Sequence, residues 1–172
     1  MSKISLIFAI LSLCVLQNAN AADGVINFSG NITGTACVVD TSAIAQPVNL
    51  GTVSATAFAN GSGATAAATR FSIVLTACPE SISGANIRFD GVANSINPSI
   101  LALNMNATAS NVGVAIYEND STTLIPVGTP SARVTLLPDT SNTLNYIAKY
   151  MATGVVGTGT ADSVTSFTVT YQ

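Results

Sequence analysis

Apolar and polar residues alternate with a period of two along most of the chain, which is the pattern of strands half buried in a sheet. Arg70–Leu75 places Phe71, Ile73 and Leu75 on one face, and Asn86–Asp90 turns Ile87 and Phe89 inward. Val112–Tyr117 and Arg133–Leu137 are further β-rich runs. Leu144–Met151 sets Tyr146, Ala148 and Tyr150 against Ile147, Lys149 and Met151, and Val164–Tyr171 lines up Phe167, Val169 and Tyr171. Val, Ile, Thr, Tyr and Phe dominate these runs, as strands prefer. Turn signals separate them: Asn60–Gly63, Asp90-Gly91, Asn97-Pro98, Pro126–Pro130 and Pro138-Asp139. The Ala-rich stretch Ala55–Ala68, broken by Gly61 and Gly63, predicts a loop with at most a helical turn. Gly154–Gly159 predicts a flexible turn between two strands, because it lacks the lysine and the following helix of a phosphate-binding loop. Short strands at regular spacing imply an all-β sandwich, with no linker dividing it.

The start of the chain breaks the pattern. Met1-Ser2-Lys3, the apolar run Ile4–Leu16 and the small-residue site Ala19-Asn20-Ala21 predict an export signal over residues 1–21. The run is too short to span a bilayer as a mature helix, and no later stretch replaces it, so no membrane insertion is expected. Beyond the signal, Gly24–Ile32 alternates again, with Ile26, Phe28, Gly30 and Ile32 on one side. A strand this close to a chain end is either the first strand of the sandwich or a tail that pairs with another molecule. Both readings stand on the residues alone.

Composition narrows the chemistry. The 172 residues hold no His and no Trp, so His-dependent catalytic triads and His-ligated metal sites are excluded. Five Lys and Arg oppose eight Asp and Glu, for a net charge of −3, and loss of Lys3 with the signal makes it more negative. No basic stripe exists for a nucleic-acid partner. The acidic residues are scattered, without the paired setting of a glycosidase or the clustered loop of a Ca²⁺ site. No enzyme and no cofactor is expected. Cys14 leaves with the signal, and the remaining pair, Cys37 and Cys78, is bound for an oxidising compartment. A disulfide between them closes a loop of about 40 residues, and the chain-entropy model values it at roughly 4 kcal/mol. The alternative, a redox-active pair, normally has C-x-x-C spacing at a helix start.

Taken together, four features resemble the pilin subunits of chaperone–usher fimbriae, particularly the type 1 major-subunit family. They are the alternating start Gly24–Gly30 followed by Cys37 and Val38-Val39-Asp40; the Cys37/Cys78 spacing enclosing Val48–Gly51 and Phe71–Leu75; Asn111–Val114 with Ala148–Gly154; and Tyr171 with Gly159 near the end. The resemblance covers essentially the whole chain after the signal. It implies an incomplete immunoglobulin-like sandwich lacking its final strand, completed by a donor strand from another subunit. It divides the chain into the signal 1–21, a donor-strand extension 22–33 and a pilin domain 34–172. Ile26, Phe28, Gly30 and Ile32 become the donor residues, and Phe167, Val169 and Tyr171 line the acceptor groove and contact the chaperone. The implied partners are other copies of the chain and related pilins, a periplasmic chaperone and an outer-membrane usher. The implied destination is a surface fimbria reached through the periplasm, with this chain as a shaft subunit supporting adhesion. Against this stands a self-contained secreted sandwich that binds a carbohydrate or host receptor; absent Trp, it offers few stacking surfaces.

Overall fold

Among the described residues, eight strands and one short 3₁₀ turn carry the order β1 (Val38–Val39), the turn Ala55–Phe58, β2 (Thr65–Thr76), β3 (Gly84–Asp90), β4 (Ser110–Glu118), β5 (Leu124–Ile125), β6 (Val134–Thr135), β7 (Asn142–Gly157) and β8 (Ser166–Tyr171). The computed structural model describes residues 26–30, 32, 36–40 and 47–172. The expected signal, residues 1–21, lies outside the described residues, as do 22–25 and 33–35. Two units divide the chain, Met1–Ile32 and Thr33–Gln172. In the first, the described residues Ile26–Gly30 and Ile32 form no strand, and Ile26, Phe28 and Ile32 are exposed.

The second unit is a sandwich of two antiparallel sheets. One has five strands in the order β1-β2-β7-β4-β5, the other three in the order β6-β3-β8. Their facing sides hold the inward rows that the alternation predicts: Ile73 and Leu75 of β2, Ile87 and Phe89 of β3, Leu144 and Tyr146 of β7. Phe71, Phe89 and Tyr146 meet as an aromatic triad, with ring centroids 5.1 to 5.9 Å apart. Edge-on ring contacts of this kind add to the stabilisation from area burial. Both alternating rows of β7 carry buried residues in its middle, from Tyr146 to Thr153. Ile147 and Met151, on the outer face, pack with Ile100, Ala115 and Tyr117 in a second apolar cluster. Lys149 shares that outer row and lies 4.5 Å from the Tyr117 ring centroid while its Nζ donates to the Ser121 carbonyl at 2.6 Å.

The Cys37–Cys78 disulfide is formed, with Cα atoms 4.2 Å apart across a sequence separation of 41. It ties the start of β1 to the end of β2, where, among the described residues, the strands pair through Val38↔Thr76 and Val39↔Leu75 and the Asp40 amide donates to the Val74 carbonyl at 2.9 Å. Two sequence expectations need correction. Ala55–Ala68 does contain a helical turn, but β2 begins within it at Thr65, because Thr65 and Ala66 pair with Met151 and Tyr150. A bulge between Ala66 and Thr69, with Ala67 at φ 58°, had hidden that pairing by breaking the alternation. Gly154–Gly157 is strand and not turn: β7 runs on to Gly157, which pairs with Ser110, and irregular chain with a bend at Gly159 follows.

Candidate binding groove

Strand β8 occupies an edge of the three-stranded sheet. It pairs with β3 over its whole length, from Ser166↔Asp90 through Val169↔Ile87 to Tyr171↔Ala85, and has no strand on its other side among the described residues. The inward side chains Phe167, Val169 and Tyr171 pack on the core yet remain half-buried, while Ser166, Thr168 and Thr170 face outward. A strand whose inward row is covered on one flank and open on the other offers both apolar surface and unpaired backbone to an added strand.

Just upstream of β8 the sandwich opens into a groove of about 1030 Å³. Its floor is the inner face of the five-stranded sheet, with Phe71 of β2, Val114 and Ile116 of β4, and Ala148 and Tyr150 of β7. One wall is the extended segment Pro47–Val53, whose Val48 and Leu50 pack against the core. The other wall runs from Val156 to Thr165 and leads directly into β8. This second wall is fixed to the neighbouring loop. The amides of Thr108 and Ala109 donate to the Thr160 carbonyl at 3.1 and 3.0 Å, the Thr160 amide donates to Thr108 Oγ1 at 2.9 Å, and Ser163 Oγ donates to the Ala102 carbonyl at 2.7 Å. Gly159 makes this contact possible, since any Cβ there would fall on the backbone of Thr108 and Ala109.

Asp162 is the one charged residue among the lining residues. Burial, with help from the Asp162 charge, raises the pKa of the Tyr150 phenol and keeps it neutral. An apolar floor between two walls of backbone and small polar residues suits an extended, uncharged, apolar segment. Among the described residues no group of three or more Cys, Asp or Glu side chains is placed to hold a metal ion.

The residues picked out by sequence fall in different places. Phe167, Val169 and Tyr171 lie along the edge that continues from the groove, not in its walls. Ile26, Phe28 and Ile32 are exposed, and a Cβ on Gly30 would meet nothing within 4 Å. Asn31 lies outside the described residues. Val48–Gly51 and Gly154–Gly159 stand out in the sequence, but nothing in their pattern marks Pro47–Val53 and Val156–Thr165 as walls. Phe71, Val114, Ile116 and Tyr150 read in the sequence as strand residues, with no sign that they form a groove floor.

A family model described as fimbrial protein matches residues 26–172. The chain belongs to the fimbrial protein family. This fimbrial subunit is 36% identical over 153 residues to the type-1 fimbrial protein A chain of Escherichia coli, spanning 87% of this chain and 83% of that protein. The solved Burkholderia pseudomallei antigen and type I fimbria protein superposes with a TM-score of 0.62 at 36% identity, over 86% of this chain and 97% of that one. The P pilus rod subunit PapA, at 18% identity, shares the fold with a TM-score of 0.67 over 80% of this subunit and 100% of its own length. The subunit is therefore an incomplete immunoglobulin-like sandwich, and its role is that of a structural component of a pilus.

Proposed function

We propose that this fimbrial protein is a repeating shaft subunit that polymerises by donor-strand exchange. Residues 22–33 of one copy enter the groove of the next and run along β8, so that Ile26, Phe28 and Ile32 fill apolar positions and Gly30 meets a narrow one. Phe167, Val169 and Tyr171 form the acceptor edge. In the periplasm a chaperone strand occupies this edge first. At the outer-membrane usher the extension of the incoming subunit displaces it, and the growing fibre emerges at the cell surface. The cysteine pair serves as a structural staple.

One observation carries the reading: edge strand β8 keeps its inward row half-buried, directly in line with an open apolar groove. The matching half is Ile26, Phe28 and Ile32, which stand at 79%, 93% and 103% exposure on alternate positions. Burying each side chain is worth roughly 1.5–3 kcal/mol, and the added strand also satisfies edge backbone groups. A donor at one end and an acceptor at the other make a head-to-tail interface that does not close on itself, which builds a filament.

Periplasmic expression without residues 22–33 tests the proposal. A chaperone-dependent product that never polymerises is expected. A stable, free, cooperatively folded monomer would instead identify a self-contained binding module.

A further inference from the structure

We infer that Arg133 is a positioning residue that straps the acceptor edge β8 in register by reaching across β3 at Gly84. Arg133 precedes β6, on the far side of β3 from β8. Its guanidinium nevertheless reaches Gln172, the residue following β8: Nε donates to Gln172 Oε1 at 3.0 Å, and a terminal nitrogen donates to Ser83 Oγ at 2.9 Å. The crossing is possible because residue 84 has no side chain. A Cβ there would lie 2.5 to 2.6 Å from the guanidinium carbon and two of its nitrogens.

Everything the strap touches holds the same strand end. The amides of Ser83 and Gly84 donate to a main-chain oxygen of Gln172 at 2.8 and 3.1 Å, and the Gln172 amide donates back to the Gly84 carbonyl at 2.8 Å. Gln172 Nε2 donates to Asn86 Oδ1 at 2.8 Å, which extends the network along β3. Arg88 pairs with Asp90 at 3.0 Å, whereas the Arg133 contacts are all to neutral oxygens. An edge strand with a neighbour on one side frays from its end, and a frayed end slips in register by steps that turn the inward row outward. By pinning Gln172, Arg133 keeps Phe167, Val169 and Tyr171 facing inward while the other flank of β8 is open. The functional half of this inference rests on β8 being the acceptor edge proposed above; the strap itself does not.

The test uses the full chain with Arg133→Ala, Gly84→Ala (which expels the guanidinium while leaving the arginine in place) and the double variant. In each, hydrogen exchange at the Ser83, Gly84 and Gln172 amides rises at least tenfold. The double variant exchanges no faster than either single one, and the Leu101 amide, which donates to the Val114 carbonyl of β4, is unchanged. A photo-crosslinker at Phe28, mapped by mass spectrometry onto the sister copy, gives a narrow set of adducts along β8 and the groove in the parent chain. In the variants that set shifts or broadens, and its yield drops severalfold. Loss of folded material without a change of map would reduce Arg133 to a general stabiliser and overturn the positioning role. Unchanged exchange at the three amides, or additive effects in the double variant, would overturn the strap while leaving strand addition standing. Parent-chain adducts that avoid β8 and the groove would overturn strand addition itself, and with it the role of the strap in assembly.

Discussion

The Tyr171 hydroxyl donates a hydrogen bond to the carbonyl oxygen of Cys37, with 3.3 Å between them. Tyr171 ends the edge strand of the three-stranded sheet, and Cys37 immediately precedes the edge strand of the five-stranded one. The bond therefore bridges the edge strands of the two sheets. Tyr171→Phe keeps the ring and deletes the bridge. The expected cost is about 0.5–1.5 kcal/mol, the usual net worth of one hydrogen bond. Urea unfolding of the full chain reads it as a lower midpoint at unchanged slope, and an unchanged midpoint removes the bridge from the account.

The disulfide stabilises the same corner covalently. β1 is two residues long, too short to hold its place by pairing alone, and the Cys37–Cys78 bond closes the loop that leads to it. Replacing either cysteine with Ser is expected to cost roughly 4 kcal/mol. Domains of this size have about 5–15 kcal/mol in hand, so most of the margin is at stake. Periplasmic yield should fall sharply. Parent-like yield and parent-like urea midpoint in Cys37→Ser would show that the staple is dispensable.

The donor face makes its own demand. Phe28 stands 93% exposed, and under the proposed strand exchange its burial in a neighbour would be worth roughly 1.5–3 kcal/mol. Phe28→Asp forfeits that gain and would place a carboxylate among apolar side chains, which is costly without a partner. The variant should still accept a strand along its own β8 while failing to donate one, so mixing it with parent chain yields shortened fibres. Gly30→Leu should slow strand exchange by overfilling the groove. Fibres of ordinary length from Phe28→Asp would place the donor contacts elsewhere.

What the alternation of residues reveals, and what it hides, follows from the sheet edges. Phe71, Ile73 and Leu75 announce the core row of β2 because branched and aromatic side chains alternate there with polar ones. The first residues of the same strand, Thr65-Ala66, lack large side chains, and the bulge at Ala67 shifts the phase, so they read as loop. Strands β1, β5 and β6 are two residues each and carry no period at all. The groove is harder still. Val114, Ile116 and Tyr150 look in sequence like any other inward residues, since period two reports which face a side chain takes and not whether something covers it. Pro47–Val53 becomes a wall through Val48 and Leu50 packing on the core without strand pairing. The incomplete sandwich and its open side beside the last strand were legible through family resemblance, the floor and the two walls of the groove through three-dimensional packing alone.

Alkaline pH offers a probe of the sandwich interior. Tyr146, nearly inaccessible in the aromatic triad, has its pKa pushed up from 10.0 to about 12, mainly by burial. Its hydroxyl lies 3.4 Å from Ser131 Oγ, and that bond favours the ionised form, but the Glu118 charge adds to burial in opposing it. Because the folded state holds the proton more tightly than the unfolded one, the stability linked to this group is intact below pH 10. It declines as the pH rises towards about 12. Tyr150 and Tyr171, also raised by burial, act in the same direction. Tyr146→Phe removes the principal contribution at the cost of one hydrogen bond, about 1 kcal/mol at neutral pH. Urea midpoints of parent and variant should therefore differ most near neutrality and converge, or cross, as the pH passes 11. Parallel curves across that range would mean that the phenol is not the group that titrates.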